Sequence, residues 1–133
     1  MALTDQRRRA VIAVVDDDQG ILASLDSLLD SADYDVRVFA AATQFLESGA
    51  LAEIDCLITD VAMPVMDGFA LVRAVRAARP GLPVIVVTGR PEPLPPSPLD
   101  GPGRFRAFKK PFDGRDLLAA VALMLEAAPH EAP

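Results

Sequence analysis

Apolar residues recur along this chain in two spacings that alternate with each other. Short continuous or alternating apolar runs are typical of strands in a buried sheet, and apolar positions three and four residues apart are typical of amphipathic helices. The predicted strands are residues 10–15, 34–39, 54–59, 82–87 and 105–109. The predicted helices are residues 19–32, 43–48, 67–78 and 113–128.

The residues at the helix ends support these boundaries. Asp18 and Asp67 stand at the start of two helical patterns, and an aspartate there can accept a hydrogen bond from a free N–H of the first turn. Gly49 follows the second helix, where glycine is common because it adopts the left-handed conformation without a steric penalty. Pattern and boundary residues therefore agree on an alternation of strands and helices.

This alternation predicts the fold. Strand, helix and strand in succession form βαβ units, which place the strands in parallel and cover both faces of the sheet with helices. Five strands in 133 residues suit a small doubly wound sheet. The sequence therefore predicts an α/β fold with a flavodoxin-like, five-stranded parallel sheet of order 2-1-3-4-5.

One stretch between the fourth and fifth strands interrupts the pattern where a fourth helix is expected. It contains the prolines Pro91, Pro93, Pro95, Pro96, Pro98 and Pro102. Proline inside a helix removes a hydrogen-bond donor and clashes with the preceding turn, which costs about 3 kcal/mol or more. We therefore predict that a proline-rich irregular segment replaces the fourth helix.

Composition indicates one folded domain, because 51% of the residues are hydrophobic and 24% are charged. We expect this domain at residues 10–128, after a flexible basic lead-in at 1–9 and before a short tail at 129–133. The basic start lacks the apolar region of a signal peptide, and no stretch approaches the ~18 apolar residues of a membrane span. A cytoplasmic protein without a membrane segment is expected.

The charge and the cysteine content narrow the choice of partners. A net charge of -6 disfavours direct nucleic-acid binding and favours a divalent cation or a basic protein surface. The single cysteine, Cys56, lies in an apolar run and is interpreted as a small buried residue.

Polar residues stand where the predicted strands end. In parallel α/β sheets the functional site lies beyond the carboxyl ends of the strands, so residues far apart in sequence are expected to meet there. They are Asp16, Asp17 and Asp18 at the first strand, Thr59 and Asp60 at the third, Thr88 at the fourth, and Lys109 and Lys110 at the fifth.

This set of residues favours phosphoryl chemistry with a metal. Carboxylates brought close together oppose each other's ionisation, and a hard cation such as Mg²⁺ removes that penalty. A carboxylate can also act as the nucleophile that forms an aspartyl phosphate. A lysine and a hydroxyl group would then stabilise the transferred phosphoryl group.

Four segments carry a resemblance to a known family: residues 14–18 (VVDDD), 58–68 (ITDVAMPVMDG), 86–89 (VVTG) and 108–112 (FKKPF). Together they resemble the receiver domains of two-component response regulators. The similarity extends over residues 10–127 and looks greatest to the branch that regulates nitrogen fixation and related transcription.

The resemblance implies a role for each matching position. Asp60 would be the phosphoacceptor, and Thr88 and Lys110 would contact the phosphoryl group. The Mg²⁺ ligands would be Asp17 and Asp60 directly, Asp16 through water and the backbone carbonyl of Ala62. The Lys110–Pro111 bond would be cis. The phosphoryl donor would be a sensor histidine kinase or a phosphotransfer protein, a downstream protein partner is possible, and the chain would not be an enzyme.

Neighbouring residues are given structural interpretations. Asp18 is expected to cap a helix, and Lys109 is expected to face solvent because adjacent strand residues point to opposite faces. Met63 and Met66 are expected to pack in the core. Three arginines along the third helix, Arg73, Arg76 and Arg79, are interpreted as a solvated face.

Two features depart from the family. Ala107 stands three residues before Lys110, where typical receivers carry an aromatic residue that moves on phosphorylation, and the proline-rich segment replaces a helix used in output. We therefore predict that phosphorylation occurs but is transmitted unusually, through residues 89–104.

Two alternatives remain open. The first is a receiver-like interaction module that never takes up phosphate. The second is a small phosphatase of the haloacid-dehalogenase type, with Asp16 as nucleophile and Asp18 as acid. In that interpretation Asp113 and Asp116 would have to supply the further metal ligands.

Overall fold

The computed structural model describes residues 9–89 and 105–127. The strands are β1 (Val11–Val15), β2 (Asp35–Phe39), β3 (Cys56–Asp60), β4 (Val84–Thr88) and β5 (Phe105–Lys109). The helices are α1 (Gln19–Ser31), α2 (Ala42–Ser48), α3 (Gly68–Ala78) and α4 (Gly114–Ala127), and a single 3₁₀ turn spans Ala50–Ala52.

The five strands form one parallel sheet of order β2-β1-β3-β4-β5. The predicted fold class and strand order are therefore confirmed. Strands β3 and β4 begin two residues later than predicted. Ile54 and Leu82 precede them and are fully buried, but they lie before the paired part of the strands, and an apolar pattern alone does not distinguish these two situations.

Side chains of the central strands alternate between two separate apolar clusters, one on each face of the sheet. Helices α1 and α4 cover one face, where Leu25 and Val121 belong to the same buried cluster as Ile58. Helices α2 and α3 cover the other, where Phe45 and Leu71 are buried. The strands are thus covered on both sides, as their continuous apolar runs predict.

The helix ends behave as expected. The Asp18 carboxylate accepts hydrogen bonds from the N–H groups of Gly20 and Ile21, and that of Asp67 accepts one from Ala70. Gly49 ends α2 with φ of 81°. These caps fix where α1 and α3 begin, after the loops that follow β1 and β3.

The predicted solvated arginine face of α3 is wrong at two of its three positions. Arg73 is exposed, but Arg76 Nε donates to the carbonyl of Leu82. The guanidinium of Arg79 donates to the carbonyls of Leu51 and Ile54, at 2.7 and 2.6 Å. Both arginines satisfy backbone oxygens outside the regular elements, a requirement that helix periodicity does not reveal.

The lead-in at 1–9 (apart from Arg9), the tail at 129–133 and the proline-rich segment at 91–102 lie outside the described residues. Of the helices that are described, none is long and apolar enough to cross a membrane.

Candidate functional site

The carboxyl ends of β1, β3, β4 and β5 converge on one edge of the sheet. Asp16 follows β1 directly, Asp60 is the last residue of β3, and Thr88 is the last residue of β4. Lys110 follows β5, and its backbone N–H donates to the carbonyl of Thr88 at 2.7 Å. Residues separated by up to 94 positions in the chain therefore meet at this edge.

Three carboxylates form the centre of the site. One oxygen atom from each of Asp16, Asp17 and Asp60 lies within 4.8 Å of the other two. Asp16 and Asp60 are buried, with 1% and 5% of their surface exposed, whereas Asp17 is open to solvent. Clustered carboxylate oxygens with one solvent-facing member suit a hard divalent cation that keeps some of its water ligands.

Lys110 joins two of these carboxylates. Its Nζ lies 3.2 Å from Oδ2 of Asp16 and 3.4 Å from Oδ1 of Asp60. Burial alone would lower the pKa of Lys110, but the charges and hydrogen bonds of Asp16 and Asp60 outweigh it, and the pKa is raised. The lysine therefore remains an ammonium group beside the buried carboxylates. Its peptide bond to Pro111 is cis.

The environment of Asp60 opposes its ionisation. Burial and the nearby charge of Asp16 raise the pKa of Asp60, and Lys110 offsets only part of this effect. A cation at the carboxylate cluster would favour the ionised form. The site therefore combines a carboxyl group whose ionisation is opposed by its surroundings with a cluster of carboxylate oxygens that suits a cation.

The loop after β1 is tied to the site by its own hydrogen bonds. Asp16 Oδ1 accepts the backbone N–H of Asp18 at 2.9 Å, while the side chain of Asp18 caps α1. Asp18 is thus occupied as an N-cap, as its position predicts. Asp113 and Asp116 do not belong to the carboxylate cluster, so the part of the chain that the structure describes does not supply the further metal ligands that the phosphatase interpretation needs.

Gly68 is a structural part of the site that sequence patterns did not single out. A Cβ atom at this position would lie 2.1 Å from the carbonyl oxygen of Asp60 and 2.9 Å from Cα of Val61. The N–H of Gly68 donates to the carbonyl of Val61 at 2.9 Å. Only glycine lets α3 begin directly against the backbone of Asp60, and the sequence signal is the aspartate–glycine pair at 67–68.

The other predicted site residues are placed as follows. Thr88 is fully buried next to Val87, which pairs with Asp60 across the sheet. Ala62 is exposed in the loop that follows β3. The roles of the Thr88 hydroxyl and the Ala62 carbonyl stay predictions. Lys109 is exposed, as expected.

The fifth strand has no aromatic side chain at the expected position, where Ala107 is half-buried. Phe105 packs in the cluster with α2 and α3, whereas Phe108 packs in the opposite cluster and contacts Phe112 edge to face. Phe108 thus points to the face opposite Ala107, and Phe105 lies two residues away on the same face, so neither ring takes the position of Ala107.

A doubly wound sheet of this order with a carboxylate cluster and a lysine at its carboxyl edge defines a receiver-type domain. The family model described as "Response regulator receiver domain" matches residues 12–122. The chain belongs to this family.

The sequence is similar to several response regulators. It is 34% identical over 125 residues to response regulator protein TmoT of Ectopseudomonas mendocina, which covers 93% of this chain and 56% of TmoT. It is 34% identical over 111 residues to the transcriptional regulatory protein FixJ of Bradyrhizobium diazoefficiens, covering 83% of this chain and 54% of FixJ. The nitrogen-fixation branch is therefore among its relatives, and the chain spans about half the length of these curated relatives.

The fold is similar to solved receiver structures. The chemotaxis protein CheY4 of Vibrio cholerae matches with a TM-score of 0.76 and 30% identity, over 88% of this chain and 99% of CheY4. The response regulator StyR matches with a TM-score of 0.81 and 30% identity, over 91% of this chain and 61% of StyR. The chain is thus similar over most of its length to a structure of single-domain size and to part of a longer regulator.

Proposed function

We propose that this chain is the phosphoacceptor of a two-component system and takes a phosphoryl group on Asp60 in a Mg²⁺-dependent reaction. The observation that carries the proposal is the position of Asp60, which lies beside a second buried carboxylate, Asp16, and within 3.4 Å of the ammonium group of Lys110. A nucleophile, a cation site and a fixed positive charge are the requirements of phosphoryl transfer to a carboxylate.

The transfer step is a displacement at phosphorus. An oxygen of Asp60 forms the new O–P bond as the N–P bond of a phosphohistidine on the donor protein breaks. The electron pair of that bond returns to the imidazole, which leaves neutral because its other nitrogen already carries a proton. In this proposal Lys110 pairs with the phosphoryl oxygens, and the hydroxyl group of Thr88 donates a hydrogen bond to them.

The carboxylate cluster would hold the metal. Asp17 and Asp60 would bind it directly, Asp16 through water, and Ala62 through its backbone carbonyl. The fit is supported by the carboxylate oxygens that lie within 4.8 Å of one another and by the exposure of Asp17. When bound, Mg²⁺ supplies charge stabilisation to the phosphoryl oxygens.

Phosphorylation by acetyl phosphate tests the proposal. With Mg²⁺ present, intact mass spectrometry should detect the gain of one phosphoryl group, and the gain should be absent in Asp60→Asn and without the metal. Asp113→Asn is a matched control, since Asp113 is an aspartate outside the carboxylate cluster. A wild-type protein that gains no mass would contradict the proposal and favour a phosphorylation-independent module.

A second experiment distinguishes the chain from a phosphatase. We propose that it is not an enzyme with turnover. A general phosphatase substrate should give no sustained hydrolysis, and multi-turnover hydrolysis that is lost in Asp16→Asn would favour the haloacid-dehalogenase alternative instead.

We propose that the output passes through residues 89–104. Support comes from the prolines of this segment and from Ala107, which removes the aromatic ring on which typical receivers rely. Phosphorylation should therefore change amide exchange in 89–104 when a phosphoryl mimic is added with Mg²⁺. Unchanged exchange there would contradict this route.

The bounds, the cellular location and the partners of the domain belong to the same proposal. The receiver would occupy residues 10–128 in the cytoplasm, receive its phosphoryl group from a sensor histidine kinase or a phosphotransfer protein, and act on a downstream protein. Its net charge of -6 argues against nucleic acid as a direct ligand of this chain.

A further inference from the structure

Val65 is far more exposed than the other large apolar side chains of the described residues. It is 97% exposed, against 61% for Leu123 and 41% for Val38. The methionines on either side behave differently: Met63 is buried and Met66 packs against the core. The loop is thus anchored before and after Val65, and the valine projects into solvent.

The backbone at Val65 is in an unfavourable conformation. The Met66 N–H donates to the carbonyl of Pro64 at 2.8 Å, and this bond encloses Val65, with φ of 71°, in a three-residue γ-turn. Turns of this kind with positive φ are rare and strained, and a β-branched residue fits them least well. Glycine or asparagine would fit better. The valine therefore strains its own turn and contributes no packing within the described residues.

Val65 lies in the loop that directly follows Asp60. The bond from Gly68 N–H to the Val61 carbonyl closes the loop of residues 61–68 onto the end of β3. Asp60, which precedes this loop, is recessed, with only 7% of its side chain exposed. A phosphohistidine carried by a protein reaches Asp60 only if the surface of the donor contacts the loops around the site. Among the described residues, Val65 is the most exposed large apolar side chain.

We propose that Val65 is a specificity residue for protein phosphoryl donors and that it seats in an apolar patch beside the donor's phosphohistidine. The inference rests on the proposed function. Val65 makes no bond to the reacting atoms, so it positions the donor without taking part in the chemical step. If the side chain of Val65 becomes buried in the complex with the donor, this contact explains why a valine occupies an exposed turn whose conformation it fits poorly. A small donor such as acetyl phosphate does not reach this side chain.

The test compares two classes of donor on the same variants. Val65→Asn and Val65→Gly introduce residues that suit the turn and remove the apolar side chain. Leu123→Asn is a matched control on α4, away from the site. A panel of purified, phosphorylated kinases and histidine phosphotransfer domains from the source organism is screened with the wild-type protein. The fastest donor and acetyl phosphate are then used for all variants.

With the protein donor, kcat/KM should fall about tenfold in both Val65 variants, the loss expected when one valine-sized contact is removed. Transfer from acetyl phosphate should stay within about twofold, and Leu123→Asn should match the wild type with both donors. Thermal unfolding of each variant establishes that it is folded.

Three results would overturn the inference: unchanged transfer from the protein donor, an equal loss with acetyl phosphate, or a wild-type protein that accepts phosphate from acetyl phosphate and from no protein of the panel. Failure of the wild type with every donor, acetyl phosphate included, would instead contradict the proposed function itself.

Discussion

At the residue scale, the site depends on chemistry that the sequence reveals and on contacts that it does not. The acidic residues and Lys110 were predictable because strand ends of a parallel sheet converge. The structural roles of Gly68 and Arg79 were not predicted, because they depend on backbone atoms of distant residues. These are the carbonyl of Asp60 for Gly68, and the carbonyls of Leu51 and Ile54 for Arg79. Such requirements have no periodicity.

Removing the charge of Asp60 should stabilise the metal-free protein at neutral pH. The pKa of Asp60 is raised by burial and by Asp16, so the folded protein retains this proton at pH values where the unfolded chain releases it. Folding stability is then present at low pH and lost as the pH rises towards the raised pKa. Asp60→Asn, which cannot ionise, should therefore have the larger free energy of unfolding at pH 7.

Urea unfolding at several pH values without metal checks this expectation. The difference between the two proteins should shrink as the pH falls to the ordinary range for aspartate, because the wild-type carboxyl group is then neutral as well. A gain that stays the same at all pH values would contradict the electrostatic explanation.

Gly68→Ala should destabilise the domain by about 1–3 kcal/mol, the usual consequence of forcing extra atoms into a packed site. The added carbon would meet the Asp60 carbonyl oxygen, which belongs to a central strand that is paired on both sides. Gly89→Ala is the control, because its Cβ would lie 3.9 Å from the nearest atom, on the Lys110 side chain. Equal unfolding free energies for the two variants would refute the steric argument.

At the scale of single elements, the apolar pattern predicted which segments are strands and which are helices. The differences between the predicted and the observed elements lie at their ends. Asp18 and Asp67 capped the helices as predicted because capping is a local interaction. The 3₁₀ turn at Ala50–Ala52 and the γ-turn at Val65 were not anticipated. Both lie outside regular elements, where neither helical nor strand periodicity constrains the chain.

The strained γ-turn at Val65 should lower the free energy of unfolding, and a substitution can test this. Val65→Asn should raise the free energy of unfolding by about 1 kcal/mol, because asparagine tolerates positive φ and the exposed valine gives up no packing. Val38→Asn is the matched control: Val38 is also exposed but lies in β2, where valine suits the backbone, so stability should fall. Chemical denaturation measures both, and a loss in Val65→Asn would contradict the assignment of strain.

At the scale of the whole molecule, the order of elements determined the fold. Alternating strands and helices leave few topologies once crossovers are right-handed, and the observed sheet is the predicted one. The placement of the carboxylates followed from that topology. The proline-rich segment and Ala107 could be predicted only as departures from the expected family pattern, and a departure does not predict which structure takes the place of the expected one.

Metal binding should couple to the stability of the whole domain. A ligand that binds only the folded state stabilises it by about 2.7 kcal/mol at a concentration of 100 times Kd. Mg²⁺ should therefore raise the thermal unfolding midpoint in a concentration-dependent manner. Asp17→Asn should abolish the increase, since Asp17 is a carboxylate of the cluster but is exposed and contributes little to packing. An increase that persists in this variant would place the ion elsewhere.

The close contact between Gly68 and the end of β3 also has a mechanical consequence. Because the backbones of Gly68 and Asp60 are in close contact, we expect a displacement of the backbone at Asp60 to move the first turn of α3 with it. A fluorophore on an exposed position of this helix, such as Arg73→Cys, would report that movement. Labelling would be selective, because burial raises the pKa of the only native thiol, Cys56, to about 12.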